Sequence, residues 1–431
     1  MSRRLPPELL QAIVNDVGES THDLLQLRSV NRAFHALATP AAFRRVRVTA
    51  TKDRARALAR LLQSHLAPLV QEIVFDSGTE LADDSDGSDE NSESDASDED
   101  DVSTDDADEE PDTTEDDVER PAPGATVRLL SKAYTHISKA SSLTTLTFDF
   151  HSQWEEPNST EVEDPSPYLL LQLALLEAAA NSSPSSVKEL NIDNFIALPN
   201  PFYASRAFQG LLGRLQRFSM STISDDYTET IIQAAWQDFW RTTVRKHILG
   251  PLQRASALTS LTLRNDKSAC CIVPLSFADK HFPNLTSFSL GGFHFGDQDV
   301  EDFIVRHGAT LTDLELSQCT ISVSEDEYEY VADGEGGGPN AAERRIYVAT
   351  SKLRCWAEVW NRLSQELSAL VVLDVEEPEE LVDDDGGTQI VRYTEAEELW
   401  EVVSLRGEDV DAAALQAFKD VVAARRLSGS R

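Results

Sequence analysis

Apolar residues in the first part of the chain fall at helical spacing. Leu9, Leu10, Ile13, Val14 and Val17 form one stripe behind Leu5, Pro6 and Pro7. Proline costs nothing at a helix start, because its missing N–H would have had no partner there. Gly18 stops this helix. Ser20-Thr21-His22-Asp23 then offers a capping hydroxyl with an acid three residues on, a start signal for a second helix carrying Leu24, Leu25, Leu27 and Val30. Val30, Ala33, Phe34 and Leu37 line one face of a third, which Pro40 is expected to end. Three helices in about forty residues cannot bury all this surface among themselves. The rest of the chain or a partner must cover the remainder.

Further along, the pattern shortens to a recurring six-residue shape. Leu143-x-x-Leu146-x-Phe148 returns as Val187-x-x-Leu190-x-Ile192, Leu215-x-x-Phe218-x-Met220, Leu258-x-x-Leu261-x-Leu263, Leu285-x-x-Phe288-x-Leu290 and Leu311-x-x-Leu314-x-Leu316, the last running on to Cys319. Val70-x-x-Ile73-x-Phe75 is a first member and Leu370-x-x-Leu373-x-Val375 a plausible last. Steps such as 258 to 285 and 285 to 311 suit a leucine-rich repeat, and longer steps put insertions where helices and loops lie. Helix candidates fall between the strands at 54–66, 129–140, 168–180, 206–212, 228–249 and 297–307. This alternation predicts an α/β fold of parallel strands inside and helices outside. Each unit exposes an apolar face that only its neighbour can bury, so the units stack into a solenoid. An ordinary α/β domain with coincidental leucines is the other reading. The strand positions between the leucines are candidates for a concave partner face: Thr145, Thr147, Glu189, Asn191, Arg217, Ser219, Ser260, Thr262, Ser287, Ser289, Asp313 and Glu315. They are small and polar, a poor hot-spot set, and could equally be merely solvated.

Charge changes the picture at one place. The 431 residues carry a formal net charge of −37, which argues against nucleic acid or an anionic membrane as the main partner. Much of it is local: no Lys or Arg lies between Arg60 and Arg120, and 83–119 holds 21 Asp and Glu. Such a segment cannot bury enough apolar area to offset its ordering entropy, so 76–122 reads as a disordered acidic insertion. A second insertion, 324–345, carries acids and Gly334-Glu335-Gly336-Gly337-Gly338 between two strand-like runs, a hairpin pattern without the Lys-Ser/Thr of a phosphate loop. Trp356, Trp360, Leu363 and Leu367 make a core-facing helix stripe. Residues 389–393 read as one more strand, and 394–403 and 410–426 as closing helices, the last a cap on the solenoid's end.

The chemistry is sparse. Cys270, Cys271, Cys319 and Cys355 show no C-x-x-C spacing and read as reduced thiols, with no zinc site. The nine histidines form no metal motif, and no nucleophile elbow, Walker lysine or kinase signature occurs. The carboxylates sit in loops without rigid support for acid–base work. The chain is therefore expected not to be an enzyme and to need no cofactor. No signal peptide is visible, and the longest apolar run, 168–180, is too short for a bilayer. These features predict a soluble cytoplasmic or nuclear protein.

The N-terminal motifs carry a resemblance. Leu5-Pro6-Pro7-Glu8-Leu9-Leu10 with Ile13, then Asp23-Leu24-Leu25-Gln26-Leu27-Arg28, then Val30-Asn31-Arg32-Ala33-Phe34 and Phe43-Arg44-Arg45-Val46 resemble an F-box, with Asn31 standing where that family often has Cys. The repeats resemble the irregular leucine-rich repeats that follow many F-boxes. The resemblance implies an F-box-like module at 1–48, a linking helix and first repeat strand at 49–75, the acidic insertion at 76–122, repeats at 123–323, the 324–345 hairpin, and terminal repeats with capping helices at 346–431. It also implies docking on a Skp-type adaptor of a cullin ligase through Leu5, Pro6, Leu9, Leu10, Ile13, Leu24, Leu27, Val30 and Phe34, with the repeats recruiting an unidentified protein substrate for ubiquitination. Two alternatives stay open. The helices could simply cap a leucine-rich scaffold outside any ligase, or the acidic run could hold basic proteins.

Overall fold

The protein is described by a computed structural model covering residues 6–17, 20–78, 124–152, 166–223, 230–266, 273, 275–295, 298–323, 328–331, 346–349, 354–376, 380–382, 388–390, 393–395 and 408–429. Leu5, most of the acidic insertion and the glycine run at 334–338 lie outside these residues.

Three helices come first: α1 (Pro7–Asp16), α2 (Thr21–Val30) and α3 (Arg32–Arg44). Ser20 caps α2 by accepting from the Asp23 N–H. Asn31 caps α3, its Oδ1 accepting from Ala33 and Phe34 at 2.9 and 3.0 Å. This gives the unexpected residue of the resemblance a physical role. Pro40 does not end α3, which continues through it to Arg44. Its missing N–H leaves one carbonyl of the preceding turn without a helical donor, while Thr39 turns its own hydroxyl back to the His35 carbonyl. Leu10, Val14, Leu24, Phe34, Ala38 and Ala42 make a small core of their own, separate from the main one. Arg28 ties α2 to α3 by bonding Thr39 and lying over the Phe43 ring.

The chain passes from α3 directly into β1 (Arg45–Thr49), which pairs in parallel with β2 (Glu72–Asp76). The solenoid thus starts one strand before the first L-x-x-L-x-L match, and the helical module ends at Arg44 instead of Val48. The missed signal is Arg45-Val46-Arg47-Val48, an alternation that reads as a half-buried strand. Between the two strands lies α4 (Lys52–Leu62). Strands and helices then alternate as α5 (Gly124–Tyr134), β3 (Thr145–Asp149), α6 (Pro167–Ser182), β4 (Glu189–Ile196), α7 (Arg206–Leu212) and β5 (Arg217–Ile223). A long helical crossover follows, with α8 (Thr230–Asp238), a π-wound stretch Phe239–Ile248 and α9 (Leu249–Arg254). After it come β6 (Ser260–Arg264), β7 (Ser287–Gly291), α10 (Asp299–Arg306) and β8 (Asp313–Ser317).

Short pieces at the far end include β9 (Ile321–Val323) and the antiparallel pair β10 (Tyr328–Val331) and β11 (Ile346–Ala349). Beyond α11 (Trp356–Glu366), β12 (Val372–Glu376) completes the main sheet. β13 (Glu380–Val382) and β14 (Thr388–Ile390) pair antiparallel, β15 (Tyr393–Glu395) pairs with β9, and α12 (Glu408–Gly429) ends the fold. Thr394 therefore lies in a strand and does not start a helix.

The main sheet has nine parallel strands in the order β1-β2-β3-β4-β5-β6-β7-β8-β12, each beside its sequence neighbour within the sheet. The leading apolar residue of each repeat (Val70, Leu143, Val187, Leu215, Leu258, Leu285, Leu311, Leu370) is at most 1% exposed, so these positions form one buried spine. The two inward strand residues behind each, such as Leu261/Leu263 and Phe288/Leu290, join one continuous core with the helices. Threonines after four of these leucines add a second repeat: the hydroxyls of Thr144, Thr259, Thr286 and Thr312 each donate to a carbonyl of the preceding unit at 3.0–3.1 Å.

Two polar devices lock the later repeats. His307, at the end of α10, is buried; it accepts from the Phe282 N–H at Nε2 (3.0 Å), and its Nδ1 lies 2.7 Å from the Phe303 carbonyl, which fixes the proton on Nδ1. Burial, opposed by the Phe303 bond and aided by His281 and Arg306, pushes its pKa down to about 4. A histidine lowered in this way is neutral when folded. Below pH 6.5 the unfolded chain takes up a proton that the folded chain refuses. Stability due to His307 is therefore intact above about pH 6.5 and lost as pH falls towards 4, by roughly 3 kcal/mol in all. In urea unfolding between pH 7 and 4, the native chain should lose more stability than His307→Leu by about this amount. Equal losses would show that His307 does not carry the acid sensitivity.

The second device holds α11. α12 clamps it at both ends: Asp411 accepts from the Ala357 N–H at 2.7 Å, and Arg425 donates to the Leu367 and Ser364 carbonyls at 2.7 and 2.8 Å. An acid at a helix start and a base at its end both suit the helix dipole. On its other side α11 meets α10, where the buried Glu301 pairs with Arg354 and, at 2.9 Å, with Arg362.

Candidate functional site

Two surfaces stand out, one on the helical module and one on the sheet. On α1, Pro6, Leu9 and Ile13 share one side by their spacing and are exposed, Leu9 at 51% and Ile13 at 39%. One turn further, Val17 reaches a shallow depression that Leu27 and Val30 also line, and Val30 is 62% exposed. Asp23, Gln26 and Ser29 form its polar rim. This strip is apolar, lies on two helices and is not covered by the described residues of the repeats. α3 carries the main contact of the trio with the solenoid, against β1 and the 3-10 turn Ala67–Leu69.

The structure divides the residues expected to dock. Pro6, Leu9, Ile13 and Val30 are on the open strip, and half-buried Leu27 lies at its edge. Leu10, Leu24 and Phe34 do not reach it. They are at most 9% exposed because they point into the small core that holds the three helices together. Their helical spacing is the same as that of the open residues, and only the packing partner, α3, separates inner from outer. Leu5 lies outside the described residues.

On the sheet, the predicted face residues lie in register along the side away from the helices. One row runs Glu189–Arg217–Ser260–Ser287–Asp313, and the next runs Asn191–Ser219–Thr262–Ser289–Glu315. What their small polar character did not reveal is how the charged members engage one another. Arg45 pairs with Glu72, Arg47 with Asp76, Arg217 with Glu189, and Arg264 with Glu315. Each pair crosses between strands, and Arg264 spans two steps, from β6 over β7 to β8. Burial raises the Glu189 carboxyl, but bonds from Arg217, Asn191 and Thr145 outweigh it and hold the group below its ordinary range. These pairs are partly exposed, and each contributes at most about 1 kcal/mol. The spacing that would have revealed them is between strands, which sequence order alone does not display.

A third row lies at the strand ends, where Asp76, Asp149 and Asp193 stand directly side by side. Burial and the carboxylates of Asp193 and Asp76 push Asp149 up. Asp76 is held down despite burial by the Gly78 N–H and Arg47. Among the described residues no group of three or more acids, histidines or cysteines could hold a metal ion, and no helix is long and apolar enough to cross a membrane.

A scan of known protein families finds none that matches this chain, and no curated protein matches it. Among solved structures it is similar to one described as the crystal structure of the Rad7 and Elc1 complex in yeast, with 13% sequence identity over 94% of each chain and a TM-score of 0.26. A likeness at that score supports nothing about function.

Proposed function

We propose that this chain is the substrate-receptor subunit of an SCF-type ubiquitin ligase. The helical trio docks on the Skp-type adaptor, and the repeat sheet recruits the protein to be modified. The observation that carries the reading is the open apolar strip Pro6, Leu9, Ile13, Val17 and Val30 on a module whose core is separate from that of the repeats. Monomeric surfaces rarely leave such a strip open unless something binds there. The N-terminal motifs that resemble an F-box supply the identity of the partner. In this role the chain contributes no reacting group. It holds a target beside the ligase's catalytic subunits, and rate comes from effective concentration.

A leucine-rich scaffold whose helices merely cap the first repeat is the competing reading. A cap would bury the α1 strip against β1 and β2, and that strip is exposed. The test is co-purification with a Skp-type adaptor, using the intact chain and a chain lacking residues 1–44. Retention by the first and loss by the second supports the receptor reading. No retention by a folded intact chain removes it.

A further inference from the structure

Every arginine on the open face of the sheet is already committed. Arg45, Arg47, Arg217 and Arg264 each hold a carboxylate on another strand. Among the described residues, five acids of the same face form no ion pair: Asp149, Asp193, Asp313, Asp374 and Glu376, the first three accepting hydrogen bonds from Asn194, Ser221 and Thr312. Their exposure ranges from half-buried to open, and they are spread from β3 to β12. Like charges placed directly opposite on neighbouring strands destabilise a sheet, yet Asp76, Asp149 and Asp193 stand in one row. Burial first, and then the carboxylates of Asp193 and Asp76, raise the Asp149 carboxyl against a bond from Asn194 and the charge of Arg47. These acids are spaced strand by strand, too dispersed for a single metal ion.

A second observation lies in the middle of this face. Ser289 is 5% exposed, and its hydroxyl has no hydrogen-bond partner among the described residues. It stands in register between Thr262 and Glu315, on the strand that Arg264 crosses to reach Glu315. A buried hydroxyl without a partner costs about 1–3 kcal/mol, which a bound donor would recover. Its oxygen is buried beside the Arg264–Glu315 pair, so a donor reaches it only where a basic side chain of the partner takes Arg264's place on Glu315.

We infer that the open face of the sheet recognises a lysine- or arginine-bearing segment of the protein it recruits, laid across the strands from Asp149 and Asp193 towards Asp313 and Asp374. This rests on the receptor reading above and supplies the chemistry of its target. The face has almost no exposed aromatic or aliphatic anchor to favour an apolar segment instead. Its specificity comes from matching charge to a rigid row spacing, and complementarity of that kind governs the rate and register of encounter.

The test uses the intact chain and a ten-residue Lys/Ser peptide carrying a photoreactive group, with a Glu/Ser peptide as its counterpart. Crosslinks should map to residues of β3 to β8 and β12. The variant Asp149→Asn, Asp193→Asn, Asp313→Asn should bind the Lys/Ser peptide at least about tenfold more weakly. Glu177→Gln, Asp238→Asn, Asp420→Asn, which removes as much charge from the helices, should change binding less than about twofold. Crosslinks confined to 79–123, or equal losses in the two variants, would show attraction to an acidic chain and overturn the inference. The open-face variant should still co-purify with the Skp-type adaptor, so failure here and failure of the receptor reading are separate results.

Discussion

On the proposed receptor reading, replacing Leu9 and Ile13 together by glutamate should lower affinity for a Skp-type adaptor at least about a hundredfold and leave the melting of the free chain almost unchanged. Both side chains are exposed, so the free protein loses no packing, and surface changes of this kind stay within about 0.5 kcal/mol. In the complex each would lose on the order of 1–2 kcal/mol of apolar burial, and each carboxylate would be driven into an apolar contact at further cost. A total of roughly 3 kcal/mol or more corresponds to the stated loss. Leu24→Ala and Phe34→Ala behave differently. They remove filling from the small core, at about 3 kcal/mol each, and weaken adaptor binding only by loosening the module. Titration of adaptor against the three variants, with circular dichroism of each, separates the two classes. Binding of the glutamate variant within about threefold of the native chain would sink the docking strip.

Glu301→Ala should be the most damaging single change in the far half of the solenoid. Glu301 is 1% exposed and carries the charge facing Arg354 and Arg362. Its removal takes a buried carboxylate from those guanidinium groups, and breaking a buried pair from one side typically costs about 3–5 kcal/mol. Asp302 still holds one arm of Arg362, at 2.6 Å, so the loss should fall near the lower figure. Repeats couple mainly to their neighbours, so α11 and α12 should detach before the sheet unfolds. Trp356 and Trp360 stack at 4.6 Å inside this unit and report on it. Urea titration should show their fluorescence changing well before the far-ultraviolet signal of the whole chain. Coincident transitions at the native midpoint would contradict the clamp.

The repeat spine was legible in the sequence because its signal is one-dimensional. Leucines two and three positions apart mark strands, and eight of the nine main-sheet strands follow such a match. The exception, β1, has valines at alternate positions and no leading leucine, and the F-box-like motif running into it masked the alternation. Helix limits at 206–212 agreed with α7, while Pro40 misled because the helix continues through it to Arg44, where packing of Ala38 and Ala42 in the small core outweighs one lost backbone bond. The docking strip was half legible. Periodicity shows that Leu9, Leu10 and Ile13 lie on an apolar side, but which of them faces α3 and which faces water depends on packing. Pairing across the open face was not legible at all, since Arg264 and Glu315 are partners through sheet order alone.

The most direct test of the account is the composition of the species formed when the intact chain and a purified Skp-type adaptor are mixed and resolved by size-exclusion chromatography with light scattering. A complex containing one copy of each, absent when residues 1–44 are removed, is the expected result. Separate elution of two folded proteins would contradict the account.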